Sequence, residues 1–229
     1  MNYLLEIRRR LIWVSGCYAL FFLVFFYWQS AMLSWFLQPL QHVLKKNDFI
    51  VATQVASPVL APLHLASNAA LWCGLPFFLF HLWQFLKPAL YVKESHWVKW
   101  ITLTSVLLFI AGSGFCFWVV LPFMFELFVS MTPHSVHYFP ELGASVLFIL
   151  HMLILFGVCF QIPLISVILV RSRLITFSAL KSARPYVIVV AFIIGMLLTP
   201  PDVGSQILLA VPLCLLYEAG LFFLYLTSA

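Results

Sequence analysis

Six apolar runs, at about 11–36, 63–86, 100–128, 145–170, 185–199 and 204–226, alternate with short stretches that hold nearly all of the charged residues. A helix rises about 1.5 Å per residue, so about 20 apolar residues cross a hydrocarbon core of about 30 Å. The pattern predicts an all-α membrane protein, one polytopic domain over 1–229 with six transmembrane helices. The first four runs are ample. The fifth has 15 residues, about 22 Å of helix. It either starts inside the basic stretch before it or lies where the bilayer thins. Pro76, Pro122, Pro163 and Pro212 fall within runs. Each removes a backbone donor and kinks its helix, which predicts a curved, concave bundle.

Composition fixes the solvent. The chain is 64% hydrophobic and 8% charged, with mean hydropathy +1.08; a soluble domain carries about 25% charged residues. The opening "MNYLLEIRRR" puts charges before an apolar run with no small-residue cleavage site after it. That reads as a retained first span, not a signal peptide. Cys17, Cys73, Cys116, Cys159 and Cys214 all lie in apolar runs without metal-type spacing, as small packing residues do.

Charge adds orientation. Arg8, Arg9, Arg10, Lys87, Lys93, Lys99, Arg171, Arg173, Lys181 and Arg184 fall on one side of a six-span layout; only Lys45 and Lys46 fall on the other. The positive-inside rule then places both termini and the segments around 87–99 and 171–184 in the cytoplasm. In the first outer loop, about 37–62, "WFLQPLQHVL" predicts a short interfacial helix, and Pro58 and Pro62 break the chain before span two. The third loop, about 129–144, predicts a proline-broken lid; its His134 and His137 are too few ligands for a metal site.

Candidate chemistry is sparse. No metalloprotease, nucleophile-elbow or phosphate-loop motif occurs, so no enzyme is expected. Ionisable groups at membrane depth are costly and are functional candidates. Glu218 sits well inside span six and Gln161 in span four; Glu126, His81 and His151 lie nearer span ends. Glu218 and Gln161 serve either as interhelical hydrogen-bonding groups or as partner contacts. At "GMLLTPPDVGSQ", Pro200 forces Thr199 out of helical geometry and Asp202 can cap the next helix. A tight turn does not account for Thr199 and Gln206 flanking it near membrane depth.

Outside the spans the cytoplasmic side holds two acids, Glu6 and Glu94, both among basic residues. One reading is a local ion pair, Glu6 with Arg9 or Arg10 on a helix. The other is recognition, because a carboxylate on a basic face is a selective seat for guanidinium.

"LLEIRRRL", "VATQVASPVLAPL", "WQFLKPALYVKE" and above all "RPYVIVVAFIIGMLLTPPDVGSQ" resemble segments of the TatC family, the polytopic subunit of the twin-arginine protein translocase. The likeness runs over essentially the whole chain. It implies a glove-like bundle in the inner membrane that binds the twin-arginine signal peptides of folded cargo and draws on the proton-motive force, with no nucleotide and no cofactor. It implies that Glu6 and Glu94 bind the signal's arginines, with Phe85 and Arg9 beside them, and that Pro39 is structurally sensitive. TatA- and TatB-type single-span partners would pack along spans five and six at Met196, Leu197, Thr199 and Gln206. Self-association in a multimeric receptor complex, contact with lipid and no nucleic-acid partner are also implied.

The chain departs from the family pattern in places. Leu4 and Leu5 precede Glu6 where a histidine is usual, Ile7 replaces leucine, and Ser95 and His96 follow Glu94. Several relatives carry an acid at the position of Gln161. The competing readings are a self-sufficient small-solute transporter built on Glu218 and an interaction-only scaffold. Solute flux from the purified chain, or co-purifying partners, separates the first from a translocase subunit, and a transport assay in cells separates the second.

Overall fold

In lipid, backbone polar groups must be satisfied within their own segment, so each apolar run becomes helix. The computed structural model describes residues 3–43, 50–52, 57–86, 95–132, 139–199 and 203–228; at 3–4, 57–58, 85–86, 95–98 and 227–228 it describes the backbone alone. The helices are α1 Tyr3–Tyr27, α2 Gln29–Phe36, α3 Gln38–Val43, α4 Ser57–Leu86, α5 Ser95–Phe115, α6 Leu121–Met131, α7 Leu142–Cys159, α8 Ile162–Arg171, α9 Phe177–Ser182, α10 Arg184–Leu198 and α11 Val203–Ser228. A π-helical turn, Cys116–Val120, joins α5 to α6. Among the described residues, five stretches are long and apolar enough to cross a membrane: Leu5–Tyr27, Val59–Gln84, Lys99–Met131, Leu142–Arg171 and Val203–Leu226. α10 is the shorter apolar sixth. The molecule is therefore a polytopic all-α membrane protein.

Three apolar runs expected as single helices are interrupted. The first pauses at Trp28, although Trp28 N–H still bonds Val24 O and Met32 N–H bonds Trp28 O. The third is held together by the π turn just ahead of Pro122, whose missing N–H is absorbed there. The fourth breaks at Phe160 and Gln161, and Pro163 opens α8 in its first turn, where no N–H is needed. Pro76 and Pro212 lie inside α4 and α11. Pro58 and Pro62 do not break the chain as expected. Both lie in α4, which starts at Ser57. Pro58 falls in the first turn, where its missing donor is unneeded, and the helix runs on through Pro62.

α7 is the axis of the packing. Its Val146, Ile149, Leu150, Met152, Leu153 and Phe156 are all buried, in one apolar cluster that also holds Leu65 and Ala69 of α4, Met124 and Phe125 of α6, and Leu209 and Leu213 of α11. Two glycines let α5 and α7 close on each other. A Cβ on Gly157 would stand 2.5 Å from the Phe109 ring, and one on Gly112 would stand 2.7 Å from the Phe156 carbonyl oxygen. Small residues at a helix crossing are the usual basis of close approach in lipid. At one end, the segment at Val51 clasps the start of α7: Val51 N–H donates to Pro140 O at 3.0 Å and Leu142 N–H donates to Val51 O at 2.9 Å. Glu141 caps α7, accepting from Ala144 N–H at 2.6 Å. Pro39 and Leu40 of α3 are buried at the same end, against α6. Helix α1 touches mainly α4, and its described side chains are exposed or half-buried.

Candidate functional site

The first turns of α1 carry the acid and the arginines, and α-helical spacing decides their pairing. Residues four apart share a face, so Glu6 meets Arg10 and not Arg9. Arg10 Nη2 and Nε donate to Glu6 Oε1 at 2.5 and 3.1 Å. Arg9 is exposed, and among the described residues it has no ion pair. The same Arg10 reaches the last turns of α4, where Nη1 donates to the His81 carbonyl at 3.0 Å and to Gln84 Oε1 at 3.3 Å. Arg10 thus ties α1 to the negative end of the α4 dipole. Its side chain is 21% exposed, and that of Glu6 is 47% exposed. The His81 ring is wedged edge-on against Phe77 and Phe80. Glu94 and the Phe85 side chain, expected in the same site, lie outside the described residues.

Below this cluster the surface is apolar. Three adjoining clefts share Phe78. One lies beside Arg10 and Leu11, one between α1 and α4 at Tyr18 and Gly74, and the largest, about 430 Å³, runs from Leu75 to Leu174. Gln161 stands in the wall of the largest. It lies in the fourth span, as expected, at the break between α7 and α8, and it is 2% exposed. Its amide is fully engaged. Nε2 donates to Ser105 O at 2.9 Å, and Oε1 accepts from Ser105 Oγ at 2.7 Å. Ser105 Oγ accepts in turn from Trp83 Nε1 at 3.0 Å. Three helices meet in one neutral network, so Gln161 is interhelical glue within the chain.

Glu218 lies within the spanning stretch of α11 and is hydrogen-bonded to a neighbouring helix. It is about half exposed and pairs with Arg184, the first residue of α10, at 2.7 Å. The acid expected deep in span six therefore lies level with the basic start of span five. At the other end of the α10–α11 hairpin, Gln206 Nε2 donates to Phe192 O at 3.0 Å. Thr199 takes the extended geometry expected before a proline, φ −106° and ψ 158°. It is buried and donates to Gly195 O at 2.8 Å. Met196 and Leu197 face outward, Leu197 78% exposed. The four residues expected to contact a partner thus divide into an exposed apolar pair, Thr199 bonded back into the end of α10, and Gln206 bonded across the hairpin. Pro200 and Asp202 lie outside the described residues.

Among the described residues no group of His, Cys, Asp and Glu could hold a metal; His134 and His137 lie outside them. Sequence reasoning missed Gln84, Ser105, Trp83 and Arg184, polar partners contributed by other helices. Only the four-residue step from Glu6 to Arg10 was available beforehand.

Comparison with known proteins bears on the family and the fold. The profile of the family described as "Sec-independent protein translocase protein (TatC)" matches residues 2–212. The chain is 39% identical over 221 residues to the TatC protein of Azotobacter chroococcum, covering 96% of this chain and 87% of that one. It is 36% identical to that of Haemophilus influenzae, covering 96% and 86%, and 35% identical to that of Escherichia coli K12, covering 97% and 86%. A crystal structure of the "Twin Arginine Translocase Receptor- TatC" superposes with a TM-score of 0.90 at 28% identity, covering 99% of this chain and all of that one. A second, of the receptor in DDM, gives 0.87.

Proposed function

The chain belongs to the TatC family of Sec-independent protein translocase proteins, and on that premise we propose how its parts serve a twin-arginine translocase. Its role is transport of proteins, in keeping with the whole-chain match in sequence and fold. It receives the signal peptides of folded cargo at the inner membrane and draws on the proton-motive force. The ten-to-two division of Lys and Arg supports a cytoplasmic location for both termini and for the Glu6 end of the bundle.

Glu6 and Glu94 bind the signal's paired arginines, with Arg9 and Phe85 at the rim. The observation that carries this is Glu6 itself. Both Arg10 bonds fall on Oε1, so Oε2 of a half-exposed carboxylate has no partner among the described residues. A carboxylate oxygen left open on a basic surface is a seat for an incoming guanidinium. The clefts around Phe78 begin beside it and offer apolar surface to the segment after the arginines. TatA- and TatB-type single-span helices pack on the outward face of α10, where Met196 and Leu197 supply apolar contact, Thr199 closes the end of α10 and Gln206 holds the hairpin that presents them. Several such receptors assemble together.

Charge reversal tests the arginine site. Glu6→Lys and Glu94→Lys should each abolish site-specific crosslinking to a twin-arginine signal peptide while the protein still accumulates in the membrane. Unchanged crosslinking in both variants would remove both acids from the site.

A further inference from the structure

Arg10 is the best-anchored charge at the Glu6 end. It makes four hydrogen bonds to three acceptors on two helices: Glu6 Oε1, the His81 carbonyl and Gln84 Oε1. Three arginines, Arg8, Arg9 and Arg10, follow Glu6 within four residues of the helix, and Arg10 alone pairs with it among the described residues. The net charge beside Glu6 is therefore positive, and long-range attraction there does not favour a cationic peptide. Selection has to come from the local geometry of the carboxylate.

We infer that Arg10 is a positioning residue for the arginine site: it pins Glu6 through Oε1 against α4 and leaves Oε2 as the single, oriented seat for a guanidinium of the signal. This rests on the reading that Glu6 binds that guanidinium. A long acid side chain on an exposed helix turn samples several rotamers, and fixing it beforehand removes that cost from binding. The two donors from Arg10 use the lone pairs of Oε1, so an incoming group meets Oε2 alone. A guanidinium is planar and weakly hydrated, and two of them can share one carboxylate. A compact, strongly hydrated ammonium fits worse beside Arg10. Arg10 therefore also sets the preference for arginine over lysine. Its own charge stays satisfied while Glu6 is engaged, because the α4 acceptors hold it independently.

A double-mutant cycle reads this directly, using purified protein in detergent and labelled peptides carrying Arg-Arg or Lys-Lys. Arg10→Lys keeps the charge but cannot span the three acceptors. It should weaken Arg-Arg binding about tenfold, the loss of one charge-assisted bond's worth of ordering. It should lower the Arg-Arg to Lys-Lys affinity ratio, and it should have no further effect in a Glu6→Gln background. An Arg10→Lys variant that binds as wild type, while Glu6→Gln loses binding, overturns the positioning role and keeps Glu6. Tighter binding by Arg10→Lys makes Arg10 a competitor and also overturns it. So does an effect that simply adds to that of Glu6→Gln, since that marks a general structural role. Glu6→Gln binding as wild type removes the underlying reading instead. Should Arg10→Lys fail to accumulate, Gln84→Ala decides the matter. It leaves the Glu6–Arg10 pair intact and removes one anchor of Arg10, so Arg-Arg binding should weaken about threefold, in proportion to one lost hydrogen bond; unchanged binding overturns the inference.

Discussion

Gln161 occupies the point where α7 gives way to α8, and both ends of its amide are committed to Ser105. An amide can both donate and accept there; a carboxylate can only accept. Gln161→Glu would set a carboxylate oxygen against the Ser105 carbonyl unless it took up a proton. It should destabilise the protein by about 1–3 kcal/mol, the cost of an unmet buried donor–acceptor pair. Thermal unfolding of the detergent-purified variant checks this, and an unchanged midpoint would show the network to be unimportant. The polar character of Gln161 amid apolar neighbours was legible in the sequence. Its partner was not, because Ser105 is 56 residues away on another helix, and a serine in an apolar run has many uses. The cation that meets Glu218 was hidden for a related reason. Depth in an apolar run measures distance along the helix, whereas the start of α10 at Arg184 brings a cation level with it.

Helices in lipid can bend without leaving a trace in hydropathy, because both the bent and the straight forms expose apolar side chains. Prolines mark some of the bends, but they act at a helix start differently from within it. Pro122 and Pro163 each open a new helical segment, whereas α4 runs through Pro62. The break at Trp28 has no proline at all. Close helix approach was equally hidden, since glycines occur both at crossings and on open faces. The structure separates them. Gly112→Ala puts a methyl group within 2.7 Å of the Phe156 carbonyl oxygen, and overpacking of this kind should cost about 1–3 kcal/mol. Gly74→Ala meets nothing within 4 Å and should be neutral or gain up to about 1 kcal/mol from helix propensity. Parallel melting curves of the two variants compare them; equal effects would contradict the α5–α7 packing.

For the whole molecule, span number and fold class were legible because length and apolarity alone select helices that cross a membrane. How the helices are arranged was not. Lipid is as apolar as the protein interior, so hydropathy cannot distinguish α7, which is central, from α1, whose spanning stretch is unburied. That difference matters for function. α1 is held along α4 and carries Glu6 at its exposed end, where Arg10 joins the two helices. The most direct test is the affinity of the purified chain for a twin-arginine signal peptide and for its lysine–lysine variant, measured with and without Glu6→Gln. The wild type should prefer arginine by at least about tenfold, as a guanidinium-selective carboxylate does, and Glu6→Gln should erase the preference. Equal affinity for the two peptides, or a preference that survives Glu6→Gln, would contradict an arginine seat at Glu6.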